Sequence, residues 1–484
     1  MGLWTKKTIE QLNYDIEAAP HKLKRTLGPL QLLLLGVGAI IGAGLFSITG
    51  IAAAENAGPA IILSFFLAAI GCAFSGLCYS EIASMIPVAG SAYTYAYTTM
   101  GELAAWVIGW TLILEYAIGA ATVSISWAGY VISFLHDIGI HLPTALIASP
   151  WQTVRLSDGS TANGLFNLPA VLIVIAITML LIRGIKQSAT FNSIVVFLKV
   201  AVVLVFIGLG AFYINPENYH PFIPENTGTF GEFGLSGVLQ AAGIVFFAYI
   251  GFDAVSTAAQ EAINPQKSLP IGILGSLIVC TFLYVLFALV MIGLVSYKDL
   301  NVSAPVAVAI DQTPYWWLNG IVKLAIIIGV SSVILVMLLA QSRIFYAMSR
   351  DGFLPPLFSS IHPTFQTPWK SNLILMAFVG CVAAFAPITL VGSLTSMGTL
   401  LSFVIVCAGV LILRYKEPGM YRPFKTPWSP FVPVMGILVC LLLMSGLGLD
   451  NWIQLVIWLA IGLSIYFAYG RYHVRYSKVE PSKH

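Results

Sequence analysis

Four glycines, Gly36, Gly38, Gly42 and Gly44, fall within one apolar run near the N-terminus, where each weakens a helix by about 1 kcal/mol relative to alanine. Gly38 and Gly42 are four apart and also fit a small-residue packing face between membrane helices. A cluster this dense does more than packing requires, because it lets the chain unwind. Unwinding would aim the amides of the half-helix that follows, around Gly42, Ala43 and Gly44, at an anionic group. The carbonyls of Ile40 and Ile41, freed by the same break, would accept hydrogen bonds from an ammonium. Amides and carbonyls side by side suit a zwitterion.

A second interruption is Ala248-Tyr249-Ile250-Gly251-Phe252-Asp253. Asp253 is one of few acids inside an apolar stretch, where an unpaired carboxylate is costly. Capping the amides of an unwound turn is one use for it, a structural one; touching a ligand is the other. Glu115 lies in a further apolar stretch, Leu112-Ile113-Leu114-Glu115-Tyr116. It reads as a neutral acid hydrogen-bonded between helices, as a pocket wall near a ligand side chain, or as a proton acceptor. Met337 would narrow the same pocket if it faces the centre; otherwise it is packing.

Such residues need a membrane around them. Only 9% of the chain is Asp, Glu, Lys or Arg and 58% is hydrophobic, against roughly 25% charged in a soluble domain. The apolar pattern predicts an all-α integral membrane protein with twelve crossings, at 30–53, 59–83, 95–133, 166–184, 190–213, 236–259, 270–295, 319–348, 371–390, 392–414, 430–447 and 450–470. Nearly all of the 23 Lys and Arg fall on the side of the two termini; Arg155, Lys298 and Lys323 take the other. By the positive-inside rule both termini are cytosolic. The basic N-terminal stretch has no apolar core, so it reads as a tail rather than a cleaved leader. The six cysteines lie in apolar spans without metal-ligand spacing and read as small buried residues.

No linker divides the chain. The layout predicts a cytosolic tail at 1–29, one five-span block at 30–215, a second at 236–415, two more spans at 430–470 and a second tail at 471–484. Each block opens with an interrupted helix, and an odd number of spans inverts the second block relative to the first. This five-plus-five inverted repeat, with the first and sixth helices broken, points to a secondary transporter with its site at the breaks. Walker A, His-Glu-x-x-His and Gly-x-Ser-x-Gly sequences are absent, and the glycine cluster does not match Gly-x-Gly-x-x-Gly. An enzyme is therefore not expected, nor a cofactor, a metal or a nucleic-acid partner; the proton gradient is the expected driving force.

The motifs also carry a resemblance. Gly38-Ala39-Ile40-Ile41-Gly42-Ala43-Gly44-Leu45-Phe46, Glu81-Ile82-Ala83 leading to Pro87-Val88-Ala89-Gly90-Ser91-Ala92-Tyr93, Phe246 through Asp253, Glu261 with Asn264-Pro265, and Arg343 through Gly352 coincide in order and spacing. Over roughly residues 25–430 the chain resembles the amino acid, polyamine and organocation transporter superfamily, most closely its cationic amino acid transporter branch. The resemblance implies amino acid transport through alternating access. It makes Phe247 the aromatic gate over the substrate, where an ordinary core phenylalanine is the other reading, and has Ala248 and Ile250 offer carbonyls to the amino group. It also implies that Lys199 occupies the place where sodium-dependent relatives hold a cation between the first, fifth and eighth helices. At ~1.5 Å per residue Lys199 sits ~13 Å from the cytosolic end of its helix, an awkward depth for snorkelling. A buried ammonium there that gives up and regains its proton would couple transport, with Ser331 and Ser332 at matching depth as partners. The expected function is proton-coupled import of L-amino acids across the plasma membrane, small neutral ones such as alanine favoured. Arginine or lysine transport, exchange, and an amino acid sensor with little flux are the alternatives. The expected partners are the amino acid and the bilayer, and a small membrane accessory subunit is compatible with the sequence.

Overall fold

The computed structural model describes residues 4–7, 27–86, 91–155, 161–184 and 189–474. The two expected tails fall for the most part outside them, as do Pro87, Val88, Ala89 and Gly90. Eight helical segments among the described residues are long and apolar enough to cross a membrane, and Pro29–Ile40, Leu168–Arg183, Trp369–Phe385 and Phe431–Gly446 are shorter apolar helices. The longer helices among the described residues are α1 (Pro29–Ile40), α2 (Ile61–Met85), α3 (Glu102–Asp137), α4 (Leu168–Arg183), α5 (Ala189–Gly210), α6 (Gly234–Val245), α7 (Pro265–Leu294), α8 (Trp316–Arg350), α9 (Trp369–Phe385), α10 (Ile388–Lys416), α11 (Phe431–Gly446) and α12 (Leu449–Ile465).

Local chemistry sets their ends. Pro29 and Pro265 stand in the first turns of α1 and α7, where a missing N–H costs nothing. The Asn167 side chain accepts from the Ala170 amide at 3.2 Å to cap α4, and Gly184 closes that helix at φ +75°. Several of the expected spans start or stop elsewhere than the apolar pattern suggests. The third begins at Glu102, because Ser91–Thr99 is a separate helix and Gly101, at φ +105°, turns the chain between them. The ninth stops at Phe385 because Ala386 is extended before Pro387, as the residue preceding a proline tends to be. The helical run Gly44–Met85 is broken at Gly58, at φ +59° and followed by Pro59.

Helix α7 packs on α1 and α2, α3 on α8, α4 on α9, and α10 on α11. A two-stranded antiparallel ribbon, β1 (Thr153–Arg155) and β2 (Thr161–Asn163), pairs Val154 with Ala162 in the loop after α3. At that end Lys323 of α8 meets Asp137 at 2.5 Å. At the opposite end Arg414 of α10 donates to both oxygens of Glu81 of α2, at 3.0 and 2.5 Å. Five cysteines are buried as expected, but Cys381 is exposed on α9.

Candidate functional site

Both interrupted stretches break where the glycines stand. Helix α1 ends with the Ile41 amide on the Val37 carbonyl, and Ile41 is extended at ψ 105°. Helical bonding resumes only at Leu45 and Phe46, both donating to the Gly42 carbonyl at 3.2 Å. The amides of Gly42, Ala43 and Gly44 lie between and make no hydrogen bond to the described residues. Gly44–Ile48 then forms a π turn. It is anchored by the Ser47 hydroxyl, 2.6 Å from that of Ser126 and donating to the Ser303 carbonyl at 3.1 Å, and by the Tyr130 hydroxyl donating to the Phe46 carbonyl. Helix α6 gives way to a 3-10 turn at Phe246–Tyr249, an extended Ile250, and Gly251 at φ +117° before the short helix Ala254–Thr257.

The two breaks touch. A Cβ on Gly44 would lie 2.3 Å from the Ala248 Cα, and one on Gly251 would lie 3.0 Å from the Ala39 carbonyl carbon. Only glycine permits the first approach, and the second combines a close contact with a left-handed backbone. The Tyr284 hydroxyl of α7 lies 2.9 Å from both the Ile40 and the Ala248 carbonyl oxygens. It has one proton to share between them, while each carbonyl keeps a further lone pair. Two of the acceptors expected to be open for an ammonium are thus engaged from within the protein. Phe247 is buried beside them on the 3-10 turn.

Lys199 of α5 is 1% exposed, and its ammonium donates to the Gly38 carbonyl at 2.7 Å. Its stem covers Gly329 of α8, whose Cβ would meet Lys199 Cγ at 2.8 Å. The lysine therefore does lie among α1, α5 and α8. The serines expected beside it do not bond it: Ser331 receives the Trp127 indole N–H at 2.9 Å and donates to Ile327, while Ser332 donates to Gly329. Each hydroxyl is drawn back to the carbonyl of the preceding turn, the usual local alternative for serine in a helix.

Glu115 occupies a π turn in α3, fully buried, with no hydrogen-bond partner for either oxygen among the described residues. Asp253 and Thr399 are its polar neighbours. Asp253 precedes Ala254–Thr257 without a side-chain cap hydrogen bond, although the Asp253 and Ala254 amides neighbour its carboxylate; its Oδ2 accepts from the Tyr116 hydroxyl, tying the α6 break to α3. Met337 does face the interior: a Cβ on Gly119 would lie 3.4 Å from both Met337 Sδ and Thr395 Cγ2. One turn further along α8, α3 and α10 come Gln341, Glu115 and Thr399. Gln341 is fully buried, and neither of its amide atoms has a partner among the described residues. Tyr284 and Gln341 were missed in the sequence, although a tyrosine or glutamine in mid-membrane needs a hydrogen-bond partner and is a signal in itself. Among the described residues no group of three or more His, Cys, Asp or Glu could hold a metal.

Comparison with known proteins points to a transporter. The amino acid permease family model matches residues 27–468. The branched-chain amino acid permease BcaP of Bacillus subtilis (strain 168) is 44% identical over 98% of both chains. The methylthioribose transporter of the same organism is 42% identical over 98% of both. The vacuolar cationic amino acid transporter 4 of Arabidopsis thaliana is 37% identical over 86% of this chain and 68% of its own. The resemblance to the amino acid, polyamine and organocation superfamily near its cationic branch is borne out. With a family match over nearly its whole length, the chain belongs to the amino acid permease family, as a multi-pass membrane transporter and not an enzyme.

Proposed function

We propose that the protein imports L-amino acids with protons across the plasma membrane by alternating access, small neutral ones such as alanine first. The observation that carries this reading is the meeting of the two breaks. The amides of Gly42, Ala43 and Gly44, without hydrogen bonds to the described residues, suit an α-carboxylate at a helix N-terminus. The carbonyls of Ile40, Ile41, Ala248 and Ile250 suit the α-ammonium once the Tyr284 hydroxyl shares or yields its place. Phe247 closes over the pair. Met337 closes the side-chain end, which favours short side chains, and the permeases named for branched-chain amino acids support a neutral one. Lys199 couples the cycle, its ammonium holding the α1 carbonyl just before the break and releasing it on deprotonation.

In this reading the chain crosses the membrane twelve times, with inverted blocks at 30–215 and 236–415 and both termini cytosolic. Proteoliposomes loaded at a fixed internal pH and given labelled amino acids, with and without an inward proton gradient, test it directly. Alanine should accumulate above equilibrium only with the gradient. Counterflow without net accumulation would make the protein an exchanger. Uptake of methylthioribose and of no amino acid would overturn the amino acid reading in favour of the chemistry for which one relative is named.

A further inference from the structure

The connection from α3 to α4 is unlike an aqueous loop. From Ile138 to Asn167 only Arg155 and Asp158 break a run without Asp, Glu, Lys or Arg, whereas the shorter connection from Asn215 to Phe233 carries Glu217, Glu225 and Glu232. Its polar side chains also turn inward. Ser149 and Asn167 are buried, while Leu146 is 36% and Leu165 65% exposed. The backbone is bonded from within: the Leu165 and Phe166 amides both donate to the Ala145 carbonyl, at 2.9 and 3.0 Å, and the Gly164 amide donates to the Gln152 carbonyl at 3.3 Å. The Ile140 and Leu146 amides donate to the Leu135 and Pro143 carbonyls at 2.9 Å. Irregular chain can stand at the edge of hydrocarbon only when its backbone groups are satisfied in this way.

The helices beside it leave a gap. Helix α4 has 16 residues and α9 has 17, about 24 and 26 Å against a hydrocarbon core of about 30 Å. The two are tied at both ends. At one, the Thr367 hydroxyl donates to the Ile182 carbonyl at 2.7 Å; at the other, the Asn167 amide donates to the Ala384 carbonyl at 3.1 Å. The first end carries Arg183 and Lys370, with Lys370 Nζ 5.5 Å from the centre of the Trp369 ring, side chains that hold a helix end at the headgroups. The second end is apolar. No Asp, Glu, Lys or Arg lies between Ser371 and Leu413, and Phe385, 47% exposed, meets the Phe166 ring at 5.6 Å. Anchored at the first end, the pair stops roughly 5 Å short of the opposite headgroups, and the α3–α4 connection is what continues it.

We propose that this connection is a lipid-binding element, with Leu146 and Leu165 inserted among the upper acyl chains of the leaflet opposite Arg183 and Lys370. Trp151, 80% exposed, stands at headgroup level, where water still reaches it. The occupant of the surface is phospholipid, and the buried depth is that of an interfacial element rather than of a crossing helix. The α4–α9 pair packs on α3 and α8, the helices that carry Glu115 and Met337, so the inserted loop also steadies one wall of the candidate site. The inference requires that the chain span a membrane, not that it carry amino acids.

The test places a nitroxide on Leu146→Cys and on Leu165→Cys, each with Cys381→Ser to remove the exposed native thiol, in phosphatidylcholine liposomes. Its collision rates are measured with molecular oxygen, which concentrates among acyl chains, and with nickel ethylenediaminediacetate, which stays in water. At both positions the logarithm of the oxygen-to-nickel ratio should be positive, shifted toward the value at Leu172→Cys on the exposed face of α4 and away from that at Phe230→Cys in the connection that bears the glutamates. A negative value at either position would place the loop in water and overturn the proposal. Low collision rates with both reagents and an immobilised spectrum would overturn it too, since a protein surface, of a second copy or of another chain, would then cover the site.

Discussion

At the scale of single residues, the most consequential group is one whose charge meets no carboxylate among the described residues. Lys199 is buried against a backbone carbonyl, and an ammonium in that setting is held by a dipole alone, so its loss or gain of a proton changes what grips α1. Lys199→Ala should abolish accumulation driven by a pH gradient while counterflow persists, measured side by side in proteoliposomes; a variant that still concentrates alanine on the gradient removes Lys199 from coupling. A second residue-scale prediction concerns selectivity. Met337 stands over a layer formed by Glu115, Thr399 and Gln341, two of which have buried polar atoms without partners among the described residues. Met337→Ser opens room above that layer, and arginine should gain affinity by roughly tenfold, the value of one charge-assisted hydrogen bond. The gain should vanish with Glu115→Gln, because a guanidinium desolvated without its carboxylate loses more than the new space returns. Equal arginine competition by all three proteins would show that these residues do not form the side-chain pocket. Glu115, Lys199 and Asp253 were legible in the sequence because a charge in an apolar run needs a reason. The groups that Lys199 and Asp253 meet were not, since Gly38 and Tyr116 are brought to them by packing between helices distant in sequence.

At the scale of elements, the glycine cluster carries both of its readings, divided between its members. Gly36 and Gly38 are packing positions, where a Cβ would strike Ser276 and Val196 side chains at 2.6 and 2.3 Å. Gly44 is the contact between the two breaks, and its obstacle is backbone. Gly42 is more open, since a Cβ there would lie 3.3 Å from Val333 Cγ2. Gly42→Ala should therefore retain most uptake, whereas Gly44→Ala must push the breaks apart, at a cost of about 1–3 kcal/mol or more. Initial rates of alanine uptake by equal amounts of folded protein should separate the two variants by at least about tenfold; equal rates would mean that the breaks need not touch. Tyr284 fastens the same junction from α7. Tyr284→Phe removes a hydroxyl shared by Ile40 and Ala248, and at about 1 kcal/mol for the net bond should lower uptake roughly fivefold without unfolding the protein. An unaltered rate would leave the hydroxyl with no part in the cycle. Both interruptions could be read from glycine and polar letters in apolar runs; that Gly101 ends one helix before the third crossing begins could not, because a single glycine at positive φ has no such surroundings to mark it.

At the scale of the whole molecule, the fold ties each of its two ends with a cation–carboxylate pair. Lys323 and Asp137 join α3 to α8 at one face, and Glu81 with Arg414 joins α2 to α10 at the other. By the positive-inside rule the second face is expected to be cytosolic, and the proposed import depends on that orientation, since the amides of Gly42, Ala43 and Gly44 would have to meet substrate from the other side. Two exposed aromatic side chains mark the faces without touching either clamp. Trp151, 80% exposed, stands in the loop after α3, and Tyr415, 90% exposed, at the end of α10. In a background with Cys381→Ser, Trp151→Cys should react with a membrane-impermeant maleimide on intact cells, and Tyr415→Cys only after the membrane is opened. The reverse pattern would place the termini outside. Import as proposed would then run in the opposite sense, and the same chain would have to gather its substrate from within.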